Sequence, residues 1–299
     1  MDLRQLRYLI AIVEAGSVTD ASRRLHVAQP ALSQRIASLE EELGLQLLVR
    51  TRQGVSPTAA GQELYARAKI IVKQVAAAAA ATREKAGHVG GRVGIGLLRS
   101  MAPYLATALF RRLRAEAPGI VPEIVVGYSD ELVQAIDDAR LDIALRVLPV
   151  GAKPALPVLL DEPLCVVGPP ALLAGMPPQL ELSDLAALPL LVSPTQPIHQ
   201  VLQRTARERG LSFQVVGSVE SSTAAAQLCA EGYGAFVTPK AAAQFVVNAS
   251  GGRLDQRIVT GFDRQVGLYA NPEVARSASV ETCERILLEV LRERARELL

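Results

Sequence analysis

Cysteine is scarce in this chain. Its three thiols, Cys165, Cys229 and Cys283, lie far apart and form neither a CxxC pair nor a disulfide framework. Burial as small hydrophobes is the plain expectation for them, and a redox switch is the alternative. Histidine is equally rare. His26, His88 and His199 stand apart from one another and from acid-rich motifs, so no metal-ligand spacing and no catalytic triad is visible. No catalytic residue, metal or cofactor is expected. Long hydrophobic runs are missing too: no apolar stretch would span a bilayer. Arg4, Arg7 and Glu14 break up the first apolar residues, which is not the pattern of a secretory leader. The expectation is a cytoplasmic protein with no membrane partner.

A strong excess of one charge is also absent, since the net charge of the 299 residues is only +2. Its distribution is uneven, however. Residues 1–92 carry 13 Arg or Lys against 8 Asp or Glu, whereas residues 93–299 carry 19 against 22. A basic front and a mildly acidic back place any polyanion on the front. Hydrophobic residues make up 49% of the chain, enough to bury more than one sizeable core.

Residues 1–57 read as three short helices and a hairpin. Leu3, Leu6, Leu9, Ile10 and Val13 recur at helical spacing, and Gly16 ends that helix. Ser17 is placed to cap a second helix, Val18 to Leu25. Pro30 stands where a third helix begins and where its missing N–H costs nothing. Leu32, Ile36, Leu39 and Leu43 give that helix one buried stripe, closed by Gly44. Leu47–Arg52 and Val55–Ser56 read as a hairpin turning at Gln53-Gly54. Thr58 is placed to cap a long alanine-rich helix to Ala86. Leu64, Ala68, Ile71, Val75, Ala78 and Thr82 form a heptad seam on it, which suits pairing with a second copy.

GHVGGR, residues 87–92, reads as a glycine hinge. After it, strand and helix patterns alternate. RVGIGLL, PEIVVGY, LDIALRV, LLDEPLCVVG, FQVVGSV, AFVTP and VGLYANP read as strands. Residues 101–115, 131–140, 199–209, 223–231 and 280–299 read as helices. This predicts an α/β domain with a largely parallel sheet.

Projected around the axis with Leu32 inward, the third helix turns Pro30, Ser33 and Gln34 outward and leaves Arg35 near the edge of the apolar face. A short helix, a tight turn and a helix with that polar face match a helix-turn-helix, in which Gln reads adenine and Ser several base edges. Glu40, Glu41 and Glu42 would repel phosphate and are expected on a solvated or interdomain face.

At this point the sequence resembles a family. LRYLIAIVEAGSVTDASRRLHVAQPALSQRIASLEEELGLQLLVR followed by SPTAAG resembles the winged helix-turn-helix of LysR-type transcriptional regulators, and the rest of the chain follows that family's plan. GLLRS, GYSDEL and RLDIAL loosely resemble its nitrogen-assimilation-type branch. The resemblance implies a multidomain chain. An N-terminal all-α winged helix-turn-helix with a long linker helix precedes a C-terminal α/β effector domain of two periplasmic-binding-protein-like subdomains. The expected boundaries are 1–57 for DNA binding, 58–86 for the linker and 87–92 for the hinge. Subdomain I is expected at 93–162 and 268–299, and subdomain II at 163–267.

Carried over residue by residue, the resemblance implies base contacts from Gln29, Pro30, Ser33 and Gln34. It implies phosphate contacts from Thr19 and Arg35, and minor-groove insertion by Arg50 and Arg52. Some members carry arginine where this chain has Gln34, with glutamine beside it; here the order is Gln34 then Arg35. The implied partners are double-stranded promoter DNA, a small-molecule effector and copies of the chain itself, as a homodimer or homotetramer.

In the back domain, ligands belong beyond the carboxyl ends of the strands. Arg99, Ser100 and Met101 follow one strand, Ser129 another, and Thr195 and Gln196 precede a helix; Glu220 and Ser221 lie on the expected far wall. Helix capping explains the hydroxyls equally well. Arg99 and Arg146 are the candidates for clamping a small carboxylate. Two rival classes are weaker. GIGLLR resembles a dinucleotide fingerprint but lacks its third glycine, which argues against an enzyme. A solute-binding protein without DNA function shares the paired α/β lobes but not the front domain.

Overall fold

The computed structural model describes residues 1–51, 54–85, 90–148 and 158–298. The expected wing residue Arg52, residues 86–89 of the expected linker and hinge, and the Pro-rich stretch 149–157 lie outside them.

The front begins with α1 (Leu3–Ala15). Its first amides are satisfied by a capping box: the Asp2 carboxylate accepts from the Gln5 N–H at 2.8 Å, and the Gln5 side chain accepts from the Asp2 N–H at 2.8 Å. Gly16, at φ 63°, ends the helix in the left-handed region that glycine reaches without strain. Ser17 caps α2 (Val18–Leu25), and His26 reverses the chain at φ 53°. The helix α3 (Gln29–Leu43) has Pro30 in its first turn and Gly44 after its last. Leu9, Ile12, Ala21, Leu32, Ile36, Leu39 and Leu47 form one buried core between these helices.

The strands β1 (Leu48–Thr51) and β2 (Gly54–Pro57) make the antiparallel hairpin. Of the expected turn pair, Gln53 lies outside the described residues and Gly54 opens β2 at φ 127°, where a side chain would collide with the Gly16 carbonyl. Val55 donates to that carbonyl at 2.8 Å, so the wing is pinned to the end of α1. Glu40 also departs from its expected solvated face. Its carboxylate accepts from the Leu47 and Leu48 amides at 2.7 and 3.1 Å and fixes where β1 begins.

The long helix α4 (Ala59–Lys85) starts at Thr58, whose hydroxyl accepts from the Gly61 N–H at 3.0 Å. It then packs on the back domain of its own chain. Lys69 is buried, 2.6 Å from Asp138 and 4.1 Å over the Tyr65 ring, and Lys73 lies 2.9 Å from Asp142.

The back domain alternates β3 (Gly91–Leu98), α5 (Ala102–Glu116), β4 (Ile120–Gly127), α6 (Ser129–Asp137) and β5 (Ile143–Val147). There follow β6 (Val158–Gly168), α7 (Pro170–Leu173), β7 (Gln179–Leu180), α8 (Leu182–Ala186), β8 (Pro189–Val192) and α9 (Pro197–Glu208). The chain ends through β9 (Gln214–Ser218), α10 (Ser222–Ala230), β10 (Ala235–Pro239), α11 (Lys240–Ala249), β11 (Asp255–Tyr269) and α12 (Ala278–Leu298). Gly91 and Arg92, expected in the hinge, already pair with Ile120 and Val121 as the start of β3.

The strands order as β4-β3-β5-β11-β6-β10-β8-β9, with β7 beside β11. Pairing is parallel at both ends, but β6 and β11 run antiparallel to each other and to β10 and β5 respectively. The largely parallel sheet expected from the sequence is thus two parallel halves joined by two long antiparallel strands. The β6–β11 register breaks between Val259 and Arg264, where one half gives way to the other. One half is built around Ile95, Leu105, Ile143 and Leu287, the other around Leu164, Val166, Leu190 and Val259.

All three cysteines are buried, and burial pushes each thiol up to about 12. Thiolate is the reactive form, so none should react quickly with an aromatic disulfide reagent near neutral pH, whereas all should react once the chain is unfolded. Rapid labelling of one thiol in the folded protein would restore the redox-switch alternative.

Candidate functional site

The outward face of α3 follows from its inward one. Leu32, Ile36 and Leu39 are buried, which leaves Gln29, Pro30, Gln34 and Arg35 exposed and Ser33 half-buried. Thr19 is exposed in the first turn of α2, and Arg50 is exposed on β1. Neither Arg35 nor Arg50 has an acidic partner among the described residues. Arg35 lies near the start of α1: its charge, after the Gln5 amide, helps hold the Asp2 carboxyl below its usual range. The face therefore offers the polar side chains of Gln29, Ser33 and Gln34 beside the exposed Arg35.

In the back domain, the loop after β3 carries Arg99. Its exposed guanidinium lies 4.9 Å from the Tyr128 ring centroid, the distance of a cation–π contact. The neighbouring expectations change. Met101 is fully buried in the first half's core and presents nothing to a ligand. The Ser100 hydroxyl already accepts from Arg264. Ser129 accepts from the Val147 N–H at 3.0 Å and ties β5 to α6. Arg146 lies against a different tyrosine: its guanidinium is 5.1 Å over the Tyr269 ring, whose hydroxyl donates to Asp137 at the far end of α6, and its Nε is buried with no hydrogen-bond partner among the described residues. Sequence spacing placed Arg146 near a strand end; the ring beside it decides where the side chain points.

On the opposite wall, the expected anion site is filled by the chain itself. Glu220 Oε2 accepts from the Ser193 hydroxyl at 2.9 Å and from the Thr195 hydroxyl. The Thr195 and Ser193 hydroxyls hold the Glu220 carboxyl below the usual carboxylate range, and slight burial opposes them. Ser221 is a plain cap, accepting from Ala224 N at 3.4 Å. Gln196 donates to the Tyr128 hydroxyl at 3.3 Å and to the Glu220 carbonyl at 3.4 Å. His199 is buried behind this wall, and burial lowers its pKa against a bond to the Val237 carbonyl and the nearby Glu220 charge.

Three residues were not singled out from sequence. Tyr128 faces Arg99, and its hydroxyl donates to the Glu220 carbonyl at 3.4 Å, bridging the two walls. Arg264 and the fully buried Glu162 form an ion pair at the register break, with nitrogen–oxygen distances of 2.8 and 2.6 Å. An acid inside the apolar run LLDEPLCVVG was the available signal for Glu162; nothing local marked Arg264 as its partner.

A winged helix-turn-helix carried on a long helix, joined to a two-lobed α/β domain with a polar cleft, defines a ligand-responsive DNA-binding regulator. Residues 3–62 match the family model described as bacterial regulatory helix-turn-helix protein, lysR family, and residues 86–292 match the LysR substrate binding domain. The chain belongs to the LysR family of transcriptional regulators, with a helix-turn-helix DNA-binding domain and an effector-binding domain. It is 32% identical over 299 residues to the nitrogen assimilation regulatory protein nac of Klebsiella aerogenes, covering 97% of this chain and 95% of that protein. A full-length OxyR variant from Pseudomonas aeruginosa shares the fold at a TM-score of 0.71 and 23% identity, covering 98% of each chain. Full-length CbnR complexed with its target DNA shares it at 0.65 and 21%, covering 98% of this chain and 99% of that one. No helix among the described residues is long and apolar enough to cross a membrane.

Proposed function

We propose that the protein regulates promoters, rather than catalysing a reaction, by docking α3 in the major groove. Ser33 and Gln34, with Gln29 and Pro30, read base edges, Thr19 and Arg35 hold phosphates, and Arg50 with Arg52 enters the minor groove. The observation that carries this is the outward Gln34, held there by the burial of Leu32 and Ile36 on either side of it. Gln34→Ala should weaken binding to the cognate site by roughly 1–3 kcal/mol and relax preference at one base pair. Competition of the variant against a library of randomised duplexes tests it. A loss equal for all sequences would reassign Gln34 to phosphate contact.

The chain acts as a dimer or tetramer, divided near residues 57, 86 and 92 as its sequence suggests. The exposed Ile71 and Val75 of α4 support one self-association face. The two sheet edges support a second: Phe110, Val121, Val125 and Val126 are exposed at the β4 edge, and Val215, Val216, Leu228 and Tyr233 at the β9 edge. Unpaired apolar edges of this kind invite a second copy. The effector is a small molecule with a carboxylate, held at Arg99, which faces the cleft without an acidic partner among the described residues.

A further inference from the structure

The two walls of the cleft carry opposite charges, and both are exposed. On one stands Arg99, stacked on Tyr128. On the other stands Glu220, whose Oε2 takes two hydroxyls and whose carboxylate also takes the Thr195 N–H, which leaves it acceptor capacity for one further donor. Tyr128 links them: its ring lies under Arg99 and its hydroxyl touches the Glu220 main chain. The cation and the anion therefore flank one tyrosine. The Ser193 and Thr195 hydroxyls, which would suit a ligand carboxylate on the Glu220 wall, are already taken by Glu220. Ser100 and Ser129 are taken on the other wall.

Around Tyr128 the described residues thus offer one exposed positive charge, Arg99, and one exposed negative charge, Glu220. A dianion filling it would set its second carboxylate against Glu220, a like-charge contact that disfavours binding. A plain amine would leave Arg99 unanswered. We propose that the effector is a small zwitterion of the free amino acid class, with its carboxylate on Arg99 and its ammonium on the Glu220 carboxylate. This rests on the cleft reading given under Proposed function and narrows it. Each charge is met by a charge-assisted hydrogen bond, the stronger class of polar contact. Tyr128 serves both halves: its face keeps Arg99 in place, and its hydroxyl holds the loop that carries Glu220. A competing arrangement uses the same atoms. Glu220 could stand in for a ligand carboxylate, which would displace it from Ser193 and Thr195.

Titration calorimetry on the full-length protein separates these. The probes are the twenty protein amino acids, ornithine and citrulline, each beside its deaminated acid and its decarboxylated amine. At least one amino acid should bind roughly tenfold or more tightly than both of its truncated partners, the worth of one charged hydrogen bond. Glu220→Gln should remove the advantage over the acid, and Arg99→Gln the advantage over the amine. Both side chains are exposed, so both variants should melt as the parent does. A deaminated acid that binds as well as its amino acid, and better still to Glu220→Gln, overturns the zwitterion and makes Glu220 the displaced occupant; the cleft reading then stands. Binding indifferent to both substitutions overturns the cleft reading itself. No binding by any amino acid of the panel overturns the proposed class.

Discussion

Replacing Arg264 with methionine should destabilise the effector domain by about 3–5 kcal/mol, because it leaves one member of a buried ion pair without its partner. Glu162 is 0% exposed and has three donors: Arg264 Nε and Nη2 on Oε2, and the Ala241 N–H at 2.9 Å on Oε1. Removing the guanidinium leaves the buried carboxylate with the Ala241 amide as its donor. For a domain of this size the melting temperature should fall by roughly 10 °C. The pair Glu162→Gln with Arg264→Met removes the buried charge as well and should recover much of the loss, since an unpaired charge costs more than an absent pair. Urea unfolding of the two variants provides the measurement. A single variant within about 1 kcal/mol of the parent, or a double variant no better than the single, would show that water reaches Glu162. The position gives the pair a further consequence. Arg264 lies where the β6–β11 register breaks, and it also donates to Ser100 in the cleft loop. Loss of the guanidinium therefore loosens the junction of the two halves and one wall of the cleft together.

The front domain was legible in the sequence because its signals are local. Gly16 and Gly44 sit in left-handed backbone at helix ends, Ser17 accepts from an amide three residues on, and Pro30 needs no partner in a first turn. Each acts within a few residues of itself. The sheet's centre was not legible, because nothing within β6 or β11 states which neighbour it takes or in which direction. The helix α11 was missed for a different reason: its buried face is mostly alanine while its large Phe245 is exposed, so apolar bulk does not mark the inward side. In the cleft, hydroxyl positions were readable but their occupants were not. Ser193 and Thr195 meet Glu220 some 25 residues later, a pairing that only the folded chain makes. Arg99 and Arg146 look alike as arginines near strand ends; one stacks on Tyr128, which touches the Glu220 loop, and the other on Tyr269, which holds Asp137.

Ile71→Asp combined with Val75→Asp should reduce affinity for a two-half-site operator by roughly 10²–10⁴-fold while leaving the fold of the single chain intact. The heptad read from the sequence runs through Leu64, Ala68, Ile71, Val75, Ala78 and Thr82, but the chain itself covers its first part. Leu64 packs on the front core, and Ala68 is 0% exposed. An acid at Ala68 would thus damage the fold before it tested pairing. Lys69 and Lys73, on the adjoining face, are engaged by Asp138 and Asp142. Ile71 and Val75 are different: they remain 38% and 40% exposed, and Ala78 is exposed beside them. Large aliphatic side chains recurring at a spacing of four on a solvent-facing helix have no role within one chain, and a second copy of α4 is the partner whose periodicity matches. Holding two copies of α3 on one assembly turns the second half-site contact into an intramolecular event, and that gain is lost when the seam opens. Binding to a single half-site should stay at the parent level, because Ser33 and Gln34 are untouched. Sedimentation and gel shift on one-site and two-site duplexes separate the outcomes. A variant that still sedimented as the parent does and kept its two-site affinity would move the dimer contact off α4 and onto the apolar sheet edges.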